Sequence, residues 1–462
     1  MTLYGDYEKR NIKIYKKSKK DLLIKELNYI ENTIKNLSEN KSTYSNIEEA
    51  FCRIKDIKNT VKRLEQKNLL DEIELFEIKN FVINANIIKS NYDKLELNID
   101  YINFKSCEKI INILDPDDLK LPTFKIYDSY SDKLKEIRKA KLDIEKQIFS
   151  TKDSQLIADL KAKRLDIIVE EEQEELKVKE KISKELYEFL DVFKMNINSI
   201  GKFDFLLSKA KLAIKHDAIK PSINDENNIF IKDAINPYIV DILKRSEKKY
   251  TPISIDIEKN VTLITGANMG GKSISMKNIV LNLLLFQCGF YVFAKEANLP
   301  VLDFVYIISD DMQNIDKGLS TFGAEIIKLR QILKLINMQD GFIALDEFAR
   351  GTNPKEGKIL IKSICKYLKN FNSIALISTH FDDIVEDYID HYQVVGLKNV
   401  NFESLKYKID LNKSKSVDIL QENMDYRLEK VSIEKEIPKD AINICTLLGI
   451  QKDFMEIVYQ QI

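Results

Sequence analysis

Between residues 18 and 113 apolar positions recur three and four apart, as in KKDLLIKELNYIENTIKNLS, where Leu22, Leu23, Leu27, Ile30 and Ile34 share one face. That period predicts a layer of helices. The stretch ILDPDDLKLPTF (113–124) interrupts it with two prolines and an acidic cluster. Two charged helical runs follow, SDKLKEIRKAKLDIEKQIF and 154–193, on either side of STKD. They predict an antiparallel helical hairpin feeding a lever, although their Lys/Glu alternation equally describes an ordinary solvated helix pair. In the second run Ile182, Leu186, Phe189 and Phe193 are spaced like a heptad seam. As one continuous helix of about 40 residues it would span about 60 Å. GKFDFLLSKAKLAI (201–214) predicts a further helix.

After residue 220 the period changes. INPYIV (235–240) and YTPISIDIEKNVTLIT (250–265) read as proline-punctuated loops and strands. From there short β-branched runs alternate with helical patterns, which predicts α/β architecture around a mostly parallel sheet. The chain therefore divides into a helical core (1–125), a helical hairpin and lever (126–220) and an α/β domain (221–462). The longest apolar stretch, IVLNLLLFQCGFYVF (279–293), is broken by Asn282 and Gln287. It reads as a buried helix running into a strand rather than a membrane span.

Glycine usage sharpens this division. Of thirteen glycines only Gly5 and Gly201 precede Gly266, as long helices require when each interior glycine costs about 1 kcal/mol. The net charge of −1 neither demands nor excludes nucleic acid, because binding depends on local patches. Five scattered cysteines (Cys52, Cys107, Cys288, Cys365, Cys445) show no CxxC spacing, so buried reduced thiols are expected rather than a disulfide framework. The N-terminal stretch MTLYGDYEKRNIKIYKKSKK lacks the apolar core of a signal peptide, and a cytoplasmic protein with no membrane partner is expected.

Against this background GANMGGKS (266–273) stands out, with Gly266, Gly271, Lys272 and Ser273 in a G-x-x-x-x-G-K-[ST] pattern between a β-branched run and a helical one. A loop with inward-facing amides at a helix N-terminus binds phosphates. Lys272 can reach the β- and γ-phosphates of a nucleotide, and the Ser273 hydroxyl can ligate Mg²⁺. Some 75 residues on, GFIALDEFARGT ends an apolar run in Asp346 and Glu347. Asp346 is the candidate metal carboxylate and Glu347 the candidate base or orienter of an attacking water, the alternative being a pair that caps the next turn. SIALISTHF ends likewise in Ser378, Thr379 and His380. His380 is either a sensor of the γ-phosphate or a structural histidine.

Taken together these motifs resemble the MutS family of DNA mismatch-repair ATPases, within the ABC-type ATPase class. TGANMGGKSI is similar to the family's TGPNMGGKST, DEFARGTN to DEIGRGTS, STHF to STHF, and GLSTFGAEI (318–326) to GRSTFMVEM. The resemblance is dense over residues 200–462, including the helical end PKDAINICTLLGIQKDFMEIV. It implies an ABC-type P-loop fold, ATP and Mg²⁺ as ligands, and a phosphate loop of Gly266, Ala267, Asn268, Met269, Gly270, Gly271, Lys272, Ser273 and Ile274. Ser320, Thr321 and Phe322 would complete the site of a second copy, so a homodimer closing on ATP is implied. Arg350, Gly351 and Thr352 would lie on the loop between the composite sites, with His380 as the switch histidine.

Ala267 and Ile274 replace the family's proline and threonine, the latter removing a hydroxyl expected near the α-phosphate, and Ala349 replaces a glycine. ILDPDDLKLPTF is similar to the shorter MutS2 branch. The resemblance supplies no counterpart of the mismatch-reading domain or of that branch's nuclease domain; Phe454-Met455-Glu456 is better explained by packing than as a mismatch wedge. Two loads remain open for the implied engine. One is mismatched, branched or distorted DNA held in a structure-specific clamp; the other is a protein client, as in reactivation of a cobalamin-dependent aminomutase.

Overall fold

A computed structural model describes residues 1–119, 123–266, 270–309, 321–381, 383–411, 416–431 and 440–460. The chain forms two compact units, Met1–Ile12 with Tyr29–Ala210, and Lys13–Asn28 with Lys211–Ile462.

Among the described residues the first unit has no strand. Its helices are α1 (Leu3–Arg10), the latter part of α2 (Lys20–Glu39), α3 (Lys41–Arg53), α4 (Lys58–Glu65), α5 (Glu72–Leu95), α6 (Glu108–Leu114), α7 (Asp132–Ser150), α8 (Ser154–Tyr187) and most of α9 (Leu190–Lys215). Local chemistry sets several starts. Asp71 and Glu74 form a reciprocal capping box on α5, and Ser131 and Asp153 cap α7 and α8. On α2 Leu23, Leu27 and Ile30 are buried, whereas Leu22 is exposed, so the apolar face is narrower than the sequence reading drew it. The acidic cluster of ILDPDD is partly internal. Asp115 lies 3.1 Å from Lys79 Nζ with both side chains buried, and Lys79 also donates to the Tyr127 hydroxyl at 3.1 Å.

Helices α7 and α8 pair antiparallel, with Arg138 reaching Glu171 and Glu175 and Arg164 reaching Glu145. The run 154–193 is not one helix. It stops at Glu188–Phe189, where the bonds tighten to the three-residue type and α9 begins at Leu190. Leu186 and Phe193 are fully buried and Phe189 only partly. No glycine or proline marks this break, so local sequence could not disclose it. The helix expected at 201–214 is the second half of α9.

In the second unit, among the described residues, one sheet has four strands in the order β1-β5-β2-β3: β1 (Ser222–Asn224), β2 (Ile229–Ala234), β3 (Ile253–Ile257) and β5 (Glu296–Pro300). The sequence reading had not separated it from the main sheet. INPYIV opens a helix rather than a strand: α10 (Pro237–Arg245) starts with Asn236 as cap and Pro237 in its first turn. The second sheet follows the order β10-β9-β4-β8-β7-β6, with β4 (Val261–Thr265), β6 (Phe304–Ile308), β7 (Gly341–Asp346), β8 (Ile374–Ser378), β9 (Ile389–Gly396) and β10 (Asp425–Lys430). Strands β9, β4, β8, β7 and β6 run parallel and β10 antiparallel at one edge. Every residue of β4, β7 and β8 is buried, as strands covered on both faces must be.

Around the sheets lie α11 (Lys272–Gln287), α12 (Thr321–Leu335), α13 (Pro354–Leu368), α14 (Phe402–Leu411), α15 (Ser416–Asn423), α16 (Asp440–Leu447) and α17 (Lys452–Tyr459). Residue 15 belongs with this unit because Tyr15 and Gln287 exchange two hydrogen bonds, of 2.7 and 3.1 Å. No helix among the described residues is long and apolar enough to cross a membrane. The five cysteines are free, but only Cys107 and Cys365 are buried; Cys288 and Cys445 are partly buried and Cys52 is exposed, against the expectation of buried thiols.

Candidate functional site

Parallel strands bring their carboxyl ends to one edge, and there Ile264, Ser378 and Asp346 stand abreast across β4, β8 and β7. The chain leaves β4 through Gly266 (φ +132°) and enters α11 after Gly271 (φ +84°), backbone states that favour glycine. The close packing adds a second reason. A Cβ on Gly271 would lie 2.7 Å from Cδ1 of Tyr426, and one on Gly266 would lie 3.1 Å from Cβ of Val394. Strands β9 and β10 thus back both ends of the loop. The register of β10 against β9 shifts by one residue between Asp425 and Leu428, the stretch that contains Tyr426. Lys272, 3 % exposed, donates from Nζ to the Gly266 carbonyl at 2.8 Å and so spans the loop.

The carboxylates complete the cluster. Asp346 Oδ1 accepts from Ser273 Oγ at 2.9 Å and from Ser378 Oγ at 2.7 Å. It faces the loop instead of capping the turn after β7. Glu347 has φ +48°, and its amide donates to Ser378 Oγ at 2.9 Å. Its carboxylate lies 3.5 Å from Lys272 Nζ and accepts from Arg350 Nη1 at 2.9 Å. Burial pushes the Lys272 ammonium below the usual lysine range, and the Glu347 and Asp346 carboxylates offset part of that.

Gly266, Gly271, Lys272, Ser273, Asp346, Glu347 and Arg350 therefore converge. Gly270 is buried at the end of the loop, and Ile274, in the first turn of α11, is 46 % exposed. Ala267, Asn268, Met269 and Ser320 lie outside the described residues; Thr321 opens α12, and its side chain is likewise outside them. Phe322 packs partly buried against the core of the main sheet. Gly351 and Thr352 follow Arg350 in the turn, where the Thr352 amide donates to Ala349 O at 3.3 Å. His380 is exposed at the end of β8, its ring 4.3 Å from that of Phe381.

Sequence reasoning missed Ser378 as the bridge between Asp346 and Glu347, although a polar residue ending a buried β run was the same signal that flagged Asp346. It also missed Tyr426, for which only folding supplies a signal. Among the described residues no three His, Cys, Asp or Glu side chains gather as a metal cluster. One hydroxyl and one carboxylate, Ser273 and Asp346, nevertheless fit Mg²⁺, which keeps most of its waters and takes few protein oxygens.

Residues 262–446 match the family model described as MutS domain V. The chain is 26% identical over 420 residues to the endonuclease MutS2 of Caldanaerobacter subterraneus subsp. tengcongensis, covering 78% of this chain and 52% of that protein. It is 27% identical over 425 residues to the DNA mismatch repair protein MutS of Thermodesulfovibrio yellowstonii, covering 85% and 48%. Against the endonuclease MutS2 of Acetivibrio thermocellus it is 31% identical over 222 residues, covering 47% and 27%. The aligned regions thus span between 27% and 52% of these curated relatives.

Proposed function

We propose that this chain, which matches the MutS domain V model at residues 262–446, is a MutS-family ATPase that binds ATP at the loop between β4 and α11 and hydrolyses it. The observation that carries this reading is the convergence of Lys272, the Ser273–Asp346 pair and Glu347 at the carboxyl edge of a parallel sheet. The amides at the start of α11 and the Lys272 ammonium receive the phosphates. Ser273 and Asp346 hold Mg²⁺, which when bound neutralises charge on the phosphate oxygens. Glu347 orients the attacking water and accepts its proton; Arg350 and Lys272 keep its carboxylate in place. His380 responds to the γ-phosphate at the neighbouring strand end.

Gly266, Ala267, Asn268, Met269, Gly270, Gly271 and Ile274 complete the loop in this reading, with Ser320 and Thr321 of a second copy closing over it. The active form is then a homodimer. The helical core (1–125) and the hairpin and lever (126–220) carry closure of the ATPase domain (221–462) to the load. The load is DNA of distorted or branched structure, held by its backbone rather than by base reading. A second reading, a protein client, is favoured by the net charge of −1 and by the acidic run 170–175 on α8.

Steady-state ATPase of the purified chain, with and without mismatched, branched and homoduplex DNA at physiological salt, tests both levels. Turnover stimulated by distorted DNA supports the DNA load. Turnover without any DNA effect or micromolar DNA binding transfers the engine to a protein client, and absence of turnover removes the enzyme reading.

A further inference from the structure

The turn that follows β7 holds two left-handed residues that are not glycine, Glu347 (φ +48°) and Ala349 (φ +63°). Such strained states persist only where surrounding groups over-determine them. Three elements do so here. From β8, Ser378 Oγ accepts the Glu347 amide at 2.9 Å. From α13, Gly357 comes so close that a Cβ on it would lie 3.2 Å from the Ala349 carbonyl oxygen. From α12, Glu325 Oε2 accepts the amide of Ala349 at 3.0 Å, with Glu325 8 % and Ala349 0 % exposed. A carboxylate that accepts a buried amide makes a stronger bond than a neutral acceptor.

We infer that Glu325 is a positioning residue for Glu347: its buried bond to the Ala349 amide fixes the turn that aims the Glu347 carboxylate and ties that turn to α12. The bond acts two residues from Glu347, whose carboxylate has Lys272 at 3.5 Å and Arg350 at 2.9 Å as its polar neighbours. Because Glu325 stands one turn into α12, the placement of Glu347 depends on where that helix stands. Released from Glu325, the turn relaxes away from its left-handed states and Glu347 loses its aim while the phosphate loop stays intact. The inference rests on the reading of Glu347 as the hydrolytic carboxylate.

The test compares Glu325→Ala, Glu325→Gln and Glu347→Ala in the full chain, measuring ATP affinity and steady-state turnover separately. Glu325→Ala is expected to lower kcat by about 10-fold or more while the Kd for ATP stays within about 2-fold. Glu325→Gln, which keeps an oxygen acceptor, is expected to restore most of that loss. Wild-type kcat in Glu325→Ala overturns the inference. So does a parallel loss of ATP binding, which would mark a merely structural residue, or a Gln variant as impaired as the Ala variant. Normal turnover in Glu347→Ala, or none in the wild type, overturns the ATPase reading instead, which keeps the two failures apart.

Discussion

The α7–α8 hairpin and the central strands of the six-stranded sheet handle charge in opposite ways. Strands β4, β8 and β7 carry no charged side chain until Asp346, the last residue of β7. Along the hairpin the buried positions of α7 are only Leu134 and Ile137, and the seam is closed by Arg138 with Asp128, Glu171 and Glu175, by Lys141 with Glu171 and by Arg164 with Glu145. Burial is non-directional, so the sheet tolerates many apolar sequences but no interior charge. Paired charges are directional and screened by salt, so the hairpin is specific in register yet weak in water. A rigid apolar platform with its charges confined to one edge suits a site that must be pre-organised. A charge-stitched arm suits an element whose shape responds to its surroundings.

The harshest way to break this contrast is to put a charge inside the sheet. Ala344→Asp, at a fully buried position of β7, should cost about 4 kcal/mol or more and leave no folded second unit, as read by circular dichroism and soluble yield. Removing a charge from the edge acts on chemistry instead. Glu347→Ala should lower turnover by about 10²-fold or more while ATP still binds and the melting temperature hardly moves, checked by phosphate release, nucleotide titration and calorimetry.

In the hairpin the effects shrink and become dependent on solvent. Arg138→Met should cost about 1–2 kcal/mol in low salt and clearly less in 1 M salt, compared by urea titration at both ionic strengths. Burial raises the Glu171 carboxyl, but Lys141 and Arg138 outweigh it and hold the group below the usual glutamate range. Its contribution is therefore present above the ordinary glutamate pKa and is lost as pH falls through the depressed folded value. A flatter acid limb of stability in Arg138→Met would confirm the sign. The smallest effect belongs to Ala349→Gly. It removes the strain of a left-handed alanine but adds chain entropy, so a change within about 1 kcal/mol in denaturation midpoint is expected.

Much of the candidate site was legible because its chemistry is local: Gly266, Gly271, Lys272 and Ser273 lie close together in sequence between the end of β4 and the first turn of α11, and Asp346 and Glu347 end one apolar run. Ser378 was half legible, since its position at a strand end could be read but not the register that sets it beside Asp346. Glu325, Tyr426 and Val394 were not legible as site residues, because each reaches the site from an element distant in sequence. The same limit explains the break at Glu188–Phe189 and the exposure of Leu22. Neither residue type nor period signals them; neighbours in space decide both.

By itself the sequence disclosed most of the helices and the strands of the main sheet, and it drew attention to Gly266–Ser273 and to the Asp346–Glu347 pair as candidate site residues. These follow from short-range rules of period, capping and glycine conformation that need only neighbouring residues. The tertiary structure alone decided that β8 lies between β4 and β7, that β9 and β10 back the loop, and that a buried glutamate on α12 accepts the Ala349 amide. Those depend on strand order and side-chain contact across long separations, which the free energy of the whole fold selects and no local pattern encodes.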